Sequence, residues 1–471
     1  MGVRLVSILM PVYNEEESVA ASLHRVLAAP LPEGVASEVI AVDDGSTDGS
    51  AEVVEALARQ HADRVRLLRH GKNRGKGAAI RTALSQARGE FVLIQDSDLE
   101  YDPRDYPSLL APLLEGRADA VYGTRFAVGG ERRVLYFWHS LANRFFTGLV
   151  NLAADLNLTD VWTCYKVFRT SLLRSIPIRS DRFSFEVEIT IKLAQRQVAI
   201  YETPIRYHGR TYEEGKKIGK LDVLAGLIAV LRFALVRDIY TDHGPEILDT
   251  LASARRFNRW MADTIAPYVG ARVLEIGAGI GNLSRCLAPR RLSYWASDID
   301  EEHLARLRQR LAHRANFQAR RVDLADPASF LEIDGAVDTV VCLNVLEHVE
   351  DDRQGLLNIR RSLAPGGRAI ILVPQGMSLY GELDKVLGHC RRYSREELAR
   401  KVKDAGFAIE TIFDFNRITV PGWYVNGRLL RRRRFSRLQL AFFDRMVWLW
   451  RLLDGYLPWR GVSLIVVARK L

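Results

Sequence analysis

Cysteine is scarce in this 471-residue chain, and Cys164, Cys286, Cys342 and Cys390 stand far apart with no paired spacing. That excludes a cysteine-based metal site and argues for a reducing compartment. Long apolar runs are lacking as well. The N-terminus enters the strand-like run Leu5 to Met10 without an extended apolar leader, so no secretory signal is expected. The nearest candidate for a membrane span, Val223 to Val236, is too short and is interrupted by Arg232. A soluble or membrane-surface protein is the expectation. What is present is a globular balance of 48% hydrophobic and 26% charged residues, with a formal charge of +10 that suits an anionic partner: nucleotide, nucleic acid or membrane surface. The length implies two or three domains.

In the first half, strand-like runs at Val6 to Pro11, Val39 to Val42 and Phe91 to Ile94 alternate with helical patterns, which argues for a parallel sheet with crossover helices. Acidic turns follow these strands, at the edge where open α/β sheets bind ligands. Ser46, Thr47 and Asp48 read as helix caps, Asp43 and Asp44 as ligand contacts. After Phe91 to Ile94 come Asp96, Asp98 and Glu100. In extended chain they would share a face and suit a hard cation that keeps a substrate diphosphate in its shell. The basic turn Lys72-Asn73-Arg74-Gly75-Lys76-Gly77 opens a helix and is expected to present N–H groups and cations to a phosphate, though its spacing is not that of a P-loop. Arg125, after the strand Ala118 to Tyr122, adds a guanidinium suited to phosphate oxygens.

The motifs PVYNEEES, VDDGSTDGS, NRGKGAAIRTAL, QDSDLEYDP, YGTRF, TDVWTCYKVFR, FEVEITIKLAQ and RTYEEGKKI closely resemble the family 2 glycosyltransferases of GT-A fold, in particular the dolichol-phosphate mannose synthase branch. The resemblance covers nearly all of residues 4 to 220. It implies that Pro11, Tyr13, Glu15, Asp43, Asp44 and Lys76 line a nucleotide sugar, and that Asp96, Asp98 and Glu100 hold Mg²⁺ or Mn²⁺. It also implies that Arg125, Glu188, Arg210 and Lys216 face the phosphates of donor and acceptor, with Asp98, Arg125, Glu188 and Arg210 carrying catalysis. Two departures stand out: Glu100 where relatives often carry Gln, and Cys164 where Gly is usual. A polyprenyl phosphate acceptor is already ionised and needs no general base, whereas a sugar hydroxyl would need one. The chain lacks the Gln-x-x-Arg-Trp motif of processive synthases and carries Arg210, Lys216, Lys217 and Lys220 in the acceptor region instead.

The stretch Asp238 to Pro245 marks a domain boundary, giving domains of 1–240 and 241–471. Strand and helix alternation restarts with Arg272 to Ile276 and a glycine-rich turn, Gly277, Gly279 and Gly281, which suits close approach of a nucleotide-like cofactor. The motifs VLEIGAGIG, SDID, VDLAD, DTVVCLNVLEHV and LAPGG, from about Arg272 to Val373, resemble class I methyltransferases that use S-adenosylmethionine. By that resemblance Glu275, Gly277, Gly279 and Gly281 bracket the methionine end, Asp298 holds the ribose, Asp323 the adenine edge, and Asn344, Glu347 and His348 close the pocket near the methyl group. His348 reads as shaping the cofactor pocket ahead of acting as a general base. Leu383 to Tyr393 lies where such enzymes build an acceptor lid, and there His389, Arg391, Arg392 and Tyr393 read either as contacts to an anionic acceptor or as a solvated basic turn. An insertion at about 417–460 carries Arg428, Arg431, Arg432, Arg433, Arg434 and Arg437, then Phe442, Phe443, Trp448, Trp450 and Trp459. Basic residues beside interfacial aromatics suit an anionic membrane surface better than nucleic acid, which is not expected as a partner.

The sequence therefore predicts two doubly wound α/β domains. The first is a metal-dependent, inverting glycosyltransferase using GDP-mannose or a UDP-sugar and a polyprenyl phosphate. The second is an S-adenosylmethionine-dependent methyltransferase of the same glycan or glycolipid pathway. The chain would be cytoplasmic and peripheral on the inner face of the cell membrane. The rival reading gives the first domain a sugar or protein hydroxyl as acceptor and makes the second a cofactor-binding scaffold.

Overall fold

The chain's short apolar runs become strands buried on both faces, as expected where crossover helices cover a parallel sheet. The computed structural model describes residues 3–126, 136–209, 220–236, 238–241, 253–311, 314–432 and 437–471. It divides into two units, Met1–Thr241 and Asp242–Leu471.

The first unit is built on β1 (Arg4–Val12), β2 (Val35–Asp43), β3 (Val65–Arg69), β4 (Phe91–Ile94), β5 (Ala120–Thr124), β6 (Lys166–Arg169) and β7 (Ile200–Pro204), in the order β3-β2-β1-β4-β6-β5-β7. The chain steps outward from β1 to β3 and then resumes with β4 on the other side of β1, so a switch point lies at the carboxyl ends of β1 and β4. One strand departs from the all-parallel expectation: β6 runs antiparallel to both β4 and β5. The cause is local. Thr159 shares a hydroxyl hydrogen bond of 2.6 Å with Thr124 at the carboxyl end of β5, so the chain enters β6 from that end and must run back.

The bend after β4 is held from beneath by Gln95, which is fully buried. Its amide oxygen accepts from Tyr106 Oη at 2.7 Å and Tyr165 Oη at 2.8 Å, and its amide nitrogen donates to the Asp96 carbonyl at 2.9 Å. This is where the face-sharing argument for Asp96, Asp98 and Glu100 fails, because the strand stops at Ile94 and the three acids follow on a bend, not on extended chain.

The second unit repeats the logic with β8 (Arg272–Ile276), β9 (Ser293–Asp298), β10 (Phe317–Arg321), β11 (Val337–Leu343), β12 (Leu363–Pro374), β13 (Phe407–Phe415) and β14 (Ser463–Lys470), ordered β10-β9-β8-β11-β12-β14-β13. Only β14 is antiparallel to its neighbours, β12 and β13. Its switch point lies between β8 and β11, where the glycine turn emerges.

Replacing Gln95 by Leu leaves two buried phenols without their acceptor. At about 1–3 kcal/mol for each orphaned group, Gln95→Leu should lower the first unit's unfolding free energy by about 2 kcal/mol or more, measured by urea denaturation. A loss within a few tenths would show that the tyrosines find other partners.

Candidate active sites at two sheet switch points

At the first switch point the turns after β1, β2 and β4 are tied together. Asn14, in left-handed backbone, accepts from the Thr47 N–H at 2.9 Å, the Glu15 N–H donates to Ser50 Oγ at 2.8 Å, and Ser18 Oγ reaches the Ser97 carbonyl at 3.5 Å. Asp48 accepts from the N–H groups of Ser50 and Glu16, the first residues of two different helices, while Gly49 holds the N-cap position of the helix Ser50–Gln60. Tyr13 is exposed beside half-buried Pro11 and Glu15. Asp43 is nearly buried and accepts from the Ser46 N–H at 3.3 Å.

Lys76 is the charge at the centre. Its ammonium sits 2.8 Å from Asp96 and 3.3 Å from Glu186, and Lys166 meets the other oxygen of Glu186. Burial would weaken the Lys76 ammonium, but Asp96 first and then its other neighbours hold its pKa well above the ordinary range. Asp98 and Glu100 stand half-buried on the bend, with Glu100 accepting from Tyr207 Oη at 2.9 Å. Cys164 lies directly under this bend, its thiol against the Ile94 carbonyl and its N–H on Tyr101 Oη.

Several expected ligand contacts have structural duties. Asp44 is turned inward, bound to His70 Nδ1 at 2.6 Å and accepting from the N–H groups of Arg74 at 3.0 Å and Gly75 at 2.6 Å. Two of the basic turn's backbone donors, on Arg74 and Gly75, are thus directed into the protein, and just after it the Ala78 N–H donates to the Asp181 carbonyl at 3.1 Å. A Cβ on Gly75 would come within 2.4 Å of that carbonyl, which, with a φ of 99°, explains glycine there. What the turn leaves exposed are the side chains of Lys72 and Arg74. Arg125 is clamped by fully buried Asp160 through Nε at 2.6 Å and Nη2 at 2.8 Å, and lies over the Tyr207 ring. Glu188 is absent from the cluster. Fully buried, it accepts from the N–H groups of Arg179 and Ser180 and from Lys192. Arg210 and Lys216 lie outside the described residues.

The residues that sequence reading missed are Asp160, Lys166 and Glu186. Glu186 and Glu188 are two positions apart on the helix Ser184–Gln195 and so face opposite ways. The signal available was Lys192, four residues after Glu188, which marks that glutamate as the one already paired.

At the second switch point Glu275 is buried and accepts from Tyr294 Oη at 2.8 Å and from Ser284 Oγ. Gly277, Gly279 and Gly281 have φ values of 72°, 53° and 85°. A Cβ on Gly277 would come 2.2 Å from Val345 Cγ2, so the turn lies against the segment that follows β11. Asp298 accepts from the Gly279 N–H at 2.8 Å and stands 3.3 Å from His303 Nδ1. Burial would raise its pKa, but the His303 hydrogen bond and charge bring it below the ordinary value. Asp323 is exposed and accepts from the Ala325 N–H. Asn344 is exposed in left-handed backbone, followed by buried Glu347 and exposed His348. Burial pushes the Glu347 carboxyl up to about 8.

The lid segment corrects the anion-contact reading. Arg392 is fully buried, with Nε 2.8 Å from Asp384, Nη1 on the Gln375 carbonyl and its guanidinium over Trp423. Tyr393 is fully buried and donates to Asp352 at 2.9 Å, and Arg391 pairs with the same aspartate. His389 alone of the segment's expected contacts turns toward Glu347 and His348. A cavity of about 480 Å³ between Leu5, Leu31, Ala36 and Arg64 lies at the opposite end of β1 and β2, away from these groups.

Residues 7–176 match the model of glycosyl transferase family 2, and residues 274–369 match that of a methyltransferase domain. The chain joins a family 2 glycosyl transferase domain to a methyltransferase domain. An undecaprenyl-phosphate 4-deoxy-4-formamido-L-arabinose transferase of Edwardsiella ictaluri is 28% identical over 214 residues, which is 45% of this chain and 63% of that relative. The match thus spans less than two thirds of the relative's length. Among solved structures, an S-adenosylmethionine-dependent methyltransferase from Mesorhizobium loti is 18% identical with a TM-score of 0.32, over 45% of this chain and 98% of that one. A glucosyl-3-phosphoglycerate synthase from Mycobacterium tuberculosis, in complex with Mn²⁺, uridine diphosphate and phosphoglyceric acid, is 22% identical with a TM-score of 0.38, over 50% and 79%.

If Arg392 anchors Asp384 and does not bind an acceptor, Arg392→Met leaves a buried carboxylate without its cation. That should cost the second unit about 3–5 kcal/mol in urea unfolding. Unchanged stability with only a weakened acceptor affinity would restore the anion-contact reading.

Proposed function

We propose that the first domain transfers a sugar from a nucleotide sugar, GDP-mannose or a UDP-sugar, to a polyprenyl phosphate with inversion. The second domain then methylates a component of the same glycan or glycolipid pathway with S-adenosylmethionine. The observation that carries the first part is the charge arrangement at the β1/β4 switch point, where Lys76 is fixed between Asp96 and Glu186 beside the half-buried acids of the bend. The relative from Edwardsiella, named for transfer to undecaprenyl phosphate, points the same way.

Asp96 and Asp98 supply carboxylate oxygens of the kind Mg²⁺ or Mn²⁺ takes when a diphosphate completes its shell, and such an ion would neutralise the leaving nucleotide. Glu100, already bonded to Tyr207, is the weaker third candidate. Lys76 holds Asp96 in place and adds a fixed positive charge near the diphosphate. Tyr13 and Asp43 line the nucleotide side, Arg125 is pre-oriented by Asp160, and Arg210 and Lys216 take the acceptor phosphate. Because that phosphate is already an anion, no base is required. In the second domain, Asp298 holds the cofactor ribose while positioning the Gly279 backbone, and Asp323 takes the adenine edge.

A lipid acceptor requires a membrane-facing surface. Among the described residues no helix is long and apolar enough to cross a membrane. In the first domain the helices Phe137–Ala154 and Lys220–Leu235 leave Phe137, Trp138, Leu141, Phe145, Ile228, Leu231 and Leu235 exposed. In the second, Phe442, Trp448, Arg431 and Arg432 are exposed, whereas Phe443 and Trp450 stack on each other half-buried. Arg433 and Arg434 lie outside the described residues. These faces support peripheral docking on an anionic inner leaflet.

The test is to incubate the full chain with a panel of nucleotide sugars and undecaprenyl phosphate in phosphatidylglycerol vesicles and to look for labelled lipid. Asp98→Ala or excess chelator should lower turnover on the order of a hundredfold. No labelled lipid with any donor would overturn the assignment.

Burying a large apolar side chain is worth about 1.5–3 kcal/mol. Trp138→Glu and Leu231→Glu should therefore each weaken flotation with such vesicles by about tenfold, with circular dichroism unchanged. Equal flotation of wild type and both variants would reject docking through this face.

A further inference from the structure

Glu347 is fully buried, and neither of its carboxylate oxygens has a hydrogen-bond partner. A buried carboxylate left in that state is costly, and a proton or a cation relieves it. Two imidazoles face it. The donor atoms of Glu347, His348 and His389 all lie within 4.8 Å of one another, and His389 Nε2 is 3.8 Å from Glu347 Oε1.

Both histidines are oriented by their other nitrogen. His348 Nδ1 lies 3.2 Å from the Gly388 carbonyl, which can only accept, so Nδ1 carries the proton and Nε2 keeps its lone pair. His389 Nδ1 lies 2.9 Å from Asp384, which fixes the same tautomer. Asp384 is in turn held by Arg392. An outer shell of carboxylate and carbonyl fixing each imidazole is the arrangement that metal-binding histidines use. Two nitrogens and one carboxylate suit Zn²⁺ or Fe²⁺, and not the hard cations that take oxygen throughout. In a tetrahedral shell with bonds of about 2.0–2.2 Å the donors would stand roughly 3.4 Å apart, close to the 3.8 Å between His389 Nε2 and Glu347 Oε1, so binding would draw the three groups slightly together.

We propose that Glu347, His348 and His389 bind a divalent first-row transition ion whose remaining positions are open to an oxygen of the methyl acceptor. The location supports this, since Val345, two residues before Glu347, packs on the Gly277 turn. Binding of the ion stands on the geometry alone, and its role at the methyl acceptor rests on the methyltransferase reading. In that role an acceptor hydroxyl bound at an open position gives its proton to water. Its oxygen forms the new bond to the methyl carbon, and the carbon–sulfur bond breaks with its electron pair staying on sulfur, releasing S-adenosylhomocysteine.

The experiment uses the full chain, stripped with chelator, incubated with ZnCl₂ without nucleotide, gel-filtered and analysed for zinc. S-adenosylmethionine binding is followed by calorimetry on the same sample. Wild type and Asp98→Ala should each retain one equivalent of zinc, whereas His348→Ala and His389→Ala should lose it. His348 is exposed, so its variant is expected to fold, which circular dichroism checks. Cobalt in place of zinc should give a visible absorption band that both histidine variants abolish. A wild type that binds S-adenosylmethionine but retains no zinc, or a His348→Ala that retains as much as wild type, would overturn the metal site while leaving the methyltransferase reading intact. Zinc retained without any S-adenosylmethionine binding would overturn the role at the methyl acceptor.

Discussion

A charge removed from water must find an opposite charge or a set of hydrogen bonds, and both switch points are built under that constraint. Lys76 and Lys166 bracket Glu186, Asp96 shares Lys76, and Asp160 locks Arg125. In the second unit Asp384 is satisfied by Arg392 and His389 together. These contacts fix side chains at the sheet edge at a cost of desolvation that apolar residues would avoid. Their return is a set of charges that hold their positions before any ligand arrives, the condition under which fixed charges stabilise charge that develops in a reaction.

The fold was legible because its signals are local. Short buried runs gave β4 and β8 at their observed limits and β1 to within two residues, whereas β2 begins four residues before the run Val39 to Val42, and the acids and glycines after these strands marked the sheet edge. The direction of β6 was not legible. It depends on Thr159 meeting Thr124, a contact across 35 positions that no periodicity encodes.

The sites were legible as neighbourhoods and less so as individual roles. Sequence places Asp43 and Asp44 together, yet only the folded chain turns Asp44 onto Arg74 and Gly75, where it shapes the basic turn. The same holds for Arg392 and Tyr393, which read as acceptor contacts or a solvated basic turn and are buried inside the segment Leu383 to Tyr393. In each case the residue type suits two duties, ligand contact or backbone support, and burial chooses between them. Burial is a property of contacts distant in sequence. Asp96, Asp98 and Glu100 illustrate a narrower failure, since alternation holds only while the chain is extended, and the Gln95 network ends the strand just before them.

Glu186 and Glu347 show how far the charge argument reaches. Both are buried glutamates whose oxygens lack hydrogen bonds within the usual geometry. Glu186 has an ammonium group near each oxygen, so its environment already supplies the positive charge it needs. Glu347 lacks such an ammonium: the His389 imidazole at 3.8 Å turns its proton toward Asp384 and its lone pair toward the carboxyl, and Arg392 acts on it through its charge alone. That lone pair is satisfied either by a proton on the carboxyl, whose pKa burial pushes up to about 8, or by a cation held between the two groups. His389 is fixed by Asp384 and Arg392 from behind, so the ring cannot turn its own proton toward Glu347. Glu186 meets fixed ammonium groups, whereas Glu347 keeps a place for a proton or an ion.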